Sequence, residues 1–285
     1  MLENIRLSFQ GVWSHRLRSF LTMLGIIIGI AAIIAIVSTI KGTNEQIKKN
    51  LIGSGTNTTT VQLTEEGNYP AEMEYGIPKG IPVLDDDMRQ QLADIDHVKD
   101  ASLYVSRTQV DYIYYNDTSL SGGQLIGADS HYLGTCGYIM KRGRGFTDSD
   151  YEKYRKVAVI DSVAADSLFG EANPVGKTID IKGEPFIVIG VIEESTAFSP
   201  VINSVEDYYT YVYNDGSASG IVVIPDVDWN IVQQYDEPQN AKLLADSTDN
   251  MTSVGKAAQT LLNETVTSKS IKYLSLIHIS EPTRP

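Results

Sequence analysis

The chain of 285 residues carries 36 Asp and Glu against 23 Lys and Arg, and this net charge of −13 opposes contact with a phosphate backbone, arguing against nucleic acid as a partner. Such acidity is compatible with a cationic ligand and equally with plain solubility. One cysteine, Cys136, excludes an intrachain disulfide and leaves packing to hold any exported core.

Residues 1–19 form the first element. Ile5, Phe9, Val12, Trp13 and Leu17 recur at helical spacing, with Arg6, Gln10, Ser14, Arg16 and Arg18 between them. The spacing predicts an amphipathic arm, lying on the inner membrane surface or continuing as a helix into the cytoplasm. Residues 20–40 follow as a run of 21 without a charge. At about 1.5 Å per residue the run spans roughly 30 Å, the thickness of a bilayer's hydrocarbon core, and a helix satisfies its backbone groups internally. Arg6, His15, Arg16 and Arg18 before it place the N-terminus on the cytoplasmic side and the bulk of the chain outside the cell membrane, against the weaker pull of Lys41, Lys48 and Lys49. The apolar run exceeds the usual 7 to 15 residues of a signal-peptide core and no A-x-A site follows, so it reads as an uncleaved anchor. Within it, Gly25 and Gly29 lie four residues apart on one helix face and are candidate packing positions for a neighbouring helix or a second copy.

Residues 43–270 should be one exported domain or two smaller ones. From Lys41 to Leu274 there are 19 Lys and Arg against 34 Asp and Glu. Thr58 to Leu63 and Ala101 to Tyr115 read as strands. Asp85 to Ile95 reads as a helix whose acidic start complements its dipole. Gly67 to Pro82 reads as a loop. Gly143 and Gly145 flank Arg144 in an expected tight turn. Thr147 is then the N-cap of a short helix with Asp150 closing a capping box and Phe146 stapled onto Tyr151. Val157 to Ile160 predicts a buried strand, and Val163 to Phe169 a helix ended by Gly170. Asn173 to Gly176 has type I turn preferences, and Thr178 to Ile192 reads as a hairpin turning at Lys182-Gly183. Tyr209, Tyr211 and Tyr213 alternate along an expected strand. The fold class is therefore α+β: one transmembrane helix, then a mixed α/β domain with a β-rich inserted portion.

Two near-motifs lack the geometry they imitate. Gly170 to Thr178 resembles a phosphate loop but has five residues between its glycines and joins a helix to a strand, so no helix N-terminus faces a phosphate. Asp226, Asp228, Asn230 and Glu237 match four positions of a calcium loop, yet Ile231 stands where the turn needs glycine. His97 and His131 are the exported histidines, and no nucleophile, metal or acid–base constellation accompanies them. No catalytic, cofactor or metal residue is assigned, and no cofactor is expected.

RLRSFLTMLGIIIGIAAIIAIVSTIKG, together with GRGFTDSDYEKYRKVAVIDSVAADSLFGEANPVGKTIDIKGEPFIVIGVIEE, resembles the permeases of MacB/FtsX-type ABC transporters, over about residues 1–270. The resemblance implies a first membrane helix and a MacB-like periplasmic core domain. It also implies three further helices after that domain, a homodimer or heterodimer of permeases in membrane lipid, and a separate ATP-binding subunit or domain that hydrolyses ATP. Transport would then be export or extraction at the outer face, and the chain itself would not be an enzyme. The portion inserted in the domain is expected between the early strands and VAVID. The three later helices do not follow here, and residues 275–285 resemble a translated sequencing-adapter tail, so a truncated gene model of a longer permease is expected. A single-pass anchored binding or adaptor module is the alternative reading.

Overall fold

A computed structural model describes residues 16–53, 57–65, 69–71, 73, 76–194, 220–233 and 235–276. Residues 1–15 of the N-terminal arm, Tyr209, Tyr211 and Tyr213 and nearly all of the expected tail lie outside the described residues. The chain separates into two units, Met1–Lys49 and Asn50–Pro285.

The first unit is built on helix α1, Arg16–Gly53. Residues Phe20–Thr39 are long and apolar enough to cross a membrane, and none of that window is buried within the protein. Helix continues past the apolar run because Thr43 to Gly53 contains no proline and includes the good helix formers Glu45, Gln46, Lys48 and Lys49.

The second unit is a mixed sheet covered by short helices. Its strands are β1 (Thr58–Glu65), β2 (Tyr69–Pro70), β3 (Val98–Val110), β4 (Ile113–Tyr115), β5 (Thr118–Ser119), β6 (Gly123–Ala128), β7 (Tyr138–Gly143), β8 (Val157–Asp161), β9 (Thr178–Ile181), β10 (Glu184–Glu194), β11 (Ile221–Pro225), β12 (Asn240–Ala245) and β13 (Lys272–Leu276). The spatial order is β13-β1-β12-β3-β6-β11-β8-β10-β9-β4-β5, with β2 beside β1 and β7 beside β10. Pairs β6/β11 and β8/β10 are parallel, whereas β3 is antiparallel to both its neighbours. Helices α2 (Asp86–Ala93), α3 (Tyr132–Thr135), α4 (Asp148–Glu152), α5 (Ser162–Phe169), α6 (Trp229–Gln233) and α7 (Met251–Glu264) connect them.

One end of the sheet comes from the two extremities of the unit. Val61, Leu63, Ala101, Leu103, Ala241 and Leu243 form a core there with Leu92 of α2 and Val254, Ala258 and Leu262 of α7. The other end comes from the middle of the chain, where Leu125, Ala158, Ile160, Val188, Val222 and Ile224 pack on Ala164 and Leu168 of α5 and on Trp229. The portion set between the terminal groups therefore contains β8 itself instead of stopping before VAVID. Strand β8 can sit centrally because Ala158, Val159 and Ile160 are buried on both faces.

The expected strand from Ala101 to Tyr115 is two strands. Gln109 takes a positive φ of 54° and the β3/β6 register slips between Arg107 and Val110, so β4 leaves to pair with β9 at the far edge. The turn expected at Asn173–Gly176 lies one residue later: Lys177 N–H donates to Pro174 O at 3.0 Å, with Gly176 at φ +85° in the third position. No tight turn forms at Arg144. Instead Gly143 (φ +72°) lies so close to β10 that a Cβ would come within 2.2 Å of Ile189 O, and Arg144 N–H donates to that oxygen at 3.0 Å. Lys182 and Gly183 both have positive φ, the demand of a two-residue hairpin turn. Ser275 and Leu276, the first residues of the expected tail, pair with Val61 and Thr60.

Helix α4 starts at a carboxylate with no exposed surface. Asp150 accepts from Arg144 Nη1 at 2.6 Å and Nη2 at 3.0 Å, from Thr147 N–H at 2.9 Å and from Thr147 Oγ1 at 2.8 Å. Phe146 meets Tyr151 edge to face at 6.0 Å, as a staple does. The Arg144 bonds, reinforced by Thr147, hold the Asp150 carboxyl far below the usual range despite its burial. A depressed pKa adds stability above the unfolded value near 4 that disappears as pH falls below it. Asp150→Ala should lower unfolding free energy at pH 7 by about 2–3 kcal/mol, since Arg144 is itself half exposed and recovers water, and should flatten the acid limb of the stability curve in urea titrations at successive pH values.

Candidate functional site

Gly25 and Gly29 lie on one face of α1, and a Cβ built at either meets nothing within 4 Å. Their surroundings in the protein are open. Each position can therefore accept a close neighbour, which a bulkier residue would hold away.

The near-motifs of the second unit fall apart geometrically. Gly170 to Thr178 joins the end of α5 to β9, with Gly170 at φ +58° capping the helix, so its backbone amides do not open a helix. Asp226 and Asp228 follow β11 in a 3-10 turn, while Glu237 is bonded to Arg107 and Asn230 donates to Asp236. The four positions do not converge. Among the described residues there is no group of three or more His, Cys, Asp or Glu placed to hold a metal. His97 Nδ1 contacts Asp246 Oδ2 and His131 Nδ1 contacts Asp100 Oδ1, each at 2.9 Å, as surface pairs.

Between β1, β12, β3 and β6, with Ala71 and Met73 at its rim, lies a groove of about 680 Å³. The alternation of strand residues presents Gln62, Asn240, Lys242, Ser106, Gln124 and Ile126 to it. Tyr104, Tyr132 and Tyr138 form a ladder beside it, with centroid separations of 5.3 and 6.4 Å. Lys242 Nζ stands 5.9 Å above the Tyr104 ring. Burial pushes the Tyr104 hydroxyl well above its ordinary pKa. Arg107, which bonds Glu237 and lies 5.7 Å over Trp229, closes one wall as a neutral pair. None of these residues carries a sequence motif. The one available signal was the polar period-2 spacing of Asn240 and Lys242 in an otherwise apolar strand.

The turn after β11 holds carboxylates in a poor environment. Both Asp228 oxygens are buried without a hydrogen-bond partner, and burial pushes this group up to about 6 with Lys156 opposing and Asp226 adding to the rise. Asp226 is likewise pushed up to about 6, by burial first and then by Asp129. A raised pKa makes its contribution to stability greatest below the unfolded value near 4 and removes it as pH rises through 6. The loss for one such group is at most about 3 kcal/mol. Asp228→Asn should raise the midpoint of thermal unfolding at pH 7.5 by a few degrees, with little change at pH 3.5, below the unfolded value. An unchanged difference between the two pH values would show that Asp228 does not carry the effect.

Comparison with known proteins gives this arrangement its relatives. The family profile of the MacB-like periplasmic core domain matches residues 19–261. The chain is 35% identical over 269 residues to the uncharacterized ABC transporter permease YvrN of Bacillus subtilis, covering 93% of this chain and 62% of that protein. It is 32% identical over 213 residues to the macrolide export ATP-binding/permease protein MacB of Campylobacter fetus, covering 74% of this chain and 32% of that one. The chain thus spans under two thirds of these relatives. The fold matches the extracellular domain of the ABC-type transporter YknZ from Gram-positive bacteria, at 21% identity and TM-score 0.53, over 77% of this chain and all of that one. It also matches the periplasmic region of MacB from Actinobacillus actinomycetemcomitans, at 20% identity and TM-score 0.52, over 79% and 91%. An apolar N-terminal helix of membrane-spanning length followed by a mixed sheet of this kind makes the chain a membrane protein with an extracytoplasmic domain, and it belongs to the MacB-like periplasmic core domain family.

Proposed function

We propose that this chain supplies the first membrane helix and the exported domain of an ABC-transporter permease, which exports or extracts substrate at the outer face of the membrane. The observation that carries the reading is the order of parts: a fully exposed apolar helix, then a MacB-type core unit. ATP hydrolysis belongs to a separate ATP-binding subunit or domain, and motion generated there reaches the exported domain through the helices. The name of the Campylobacter relative joins ATP binding and permease in one protein, of which this chain matches 32%. Permeases of this kind pair as homodimers or heterodimers in membrane lipid.

The N-terminus is cytoplasmic in this reading, following the Arg residues before the span. Protease added outside intact spheroplasts should remove the second unit and spare a tag at Met1. Loss of the tag with retention of the second unit would reverse the orientation and overturn the export reading.

Gly25 and Gly29 are the proposed helix contact. Replacing both by Leu should leave insertion intact, because Leu is favourable in hydrocarbon, and weaken permease pairing by about 1 kcal/mol or more, a fivefold drop in affinity. Cysteine crosslinking along α1 in lipid measures this, and unchanged crosslinking would mean the face meets lipid alone.

A further inference from the structure

The groove beside β12 has the makings of a binding site of its own. Its volume of about 680 Å³ falls in the range of small-molecule pockets. Gln62, Ser106 and Gln124 line it and make no side-chain hydrogen bond among the described residues. Ile126, Met73 and the tyrosine ladder supply apolar surface next to these groups.

Charge decides what the groove would take. Glu237 is the one carboxylate lining it among the described residues, and Arg107 already neutralises it. Lys242 then remains as a half-buried ammonium that stands over the face of Tyr104, with no carboxylate within salt-bridge distance among the described residues. An otherwise unpaired cation in a recess of a unit with 34 acidic residues against 17 basic ones is a local reversal of sign. In a concave recess its attraction for an anion is screened less than at an open surface. Hydroxyl and carboxamide groups beside it match the amide or hydroxyl groups of a ligand body, and the apolar rim matches its side chains.

We propose that this groove binds a small amphiphilic ligand bearing one carboxylate, with Lys242 pairing the carboxylate and Gln62, Ser106 and Gln124 bonding the polar body. Binding needs no transport and stands apart from the permease reading. The test uses the full chain in lipid nanodiscs, with N-acetyl-leucyl-tyrosine as free acid and as C-terminal amide, titrated calorimetrically. The acid should bind at least tenfold tighter than the amide. Lys242→Met should abolish that preference and Lys242→Arg should restore most of it, while Lys256→Met, at an exposed position of α7, should leave it intact. Thermal unfolding of each variant separates lost folding from lost recognition. Absence of saturable acid binding, equal binding of acid and amide, or a preference that survives in a folded Lys242→Met protein would overturn the proposal.

Discussion

The second unit depends on one strand having both edges satisfied. Strand β3 gives its backbone groups to β12 on one side and β6 on the other, and a buried peptide group without such a partner would cost more than most side-chain contacts return. Ala101 and Leu103 place it in the core made by the ends of the unit, whereas Val105 and Val110 place it in the core made by the middle. The strand passes from one core to the other between Leu103 and Val105, two residues before the register slip that follows Arg107. The segments N-terminal and C-terminal to the inserted portion meet it across this ladder and at α3, where Thr58 Oγ1 donates to Thr135 O at 2.8 Å.

Two carboxylates illustrate how differently burial is tolerated. Asp150 is surrounded by donors from its own sequence neighbours Arg144 and Thr147, so the charged form is held at a site where chain direction already brings the partners together. Asp228 lies in a turn whose neighbours are Asp226 and the more distant Lys156, and its oxygens find no donor. The first stabilises the charged form and the second opposes it. The unit consequently holds acids whose contributions to stability run in opposite directions with pH.

The legible parts of the sequence were those with short-range causes. The capping box at Thr147 and Asp150, the Gly170 stop and the Lys182-Gly183 turn are each decided within a few residues, and each stands where expected; Asp85, expected as the first residue of its helix, caps it by accepting from Met88 N–H. Helix α7 and strands β12 and β13 were not read, although Met251, Val254, Ala258 and Leu262 repeat at helical spacing and are buried. Short polar residues such as Thr252, Ser253 and Asn263 dilute that pattern, and the buried Gly255 is a poor helix former. It is placed there by close approach to Ser275 and Thr59, which only the paired strands reveal. The groove was invisible for a similar reason: Gln62, Gln124 and Lys242 lie far apart in the chain, and no spacing rule relates them.

The sequence by itself determined that residues 20–40 make a helix suited to a bilayer, because an uncharged run of that length needs no information from elsewhere to satisfy its backbone. It also determined most local starts and stops of the second unit, since caps and tight turns are settled by nearest neighbours. Only the tertiary structure decided which strands lie side by side, why β8 belongs to the inserted portion, and which polar side chains share one recess. Strand pairing joins residues such as Thr58 and Leu244 that no local pattern links, and complementarity of whole faces selects among the alternatives.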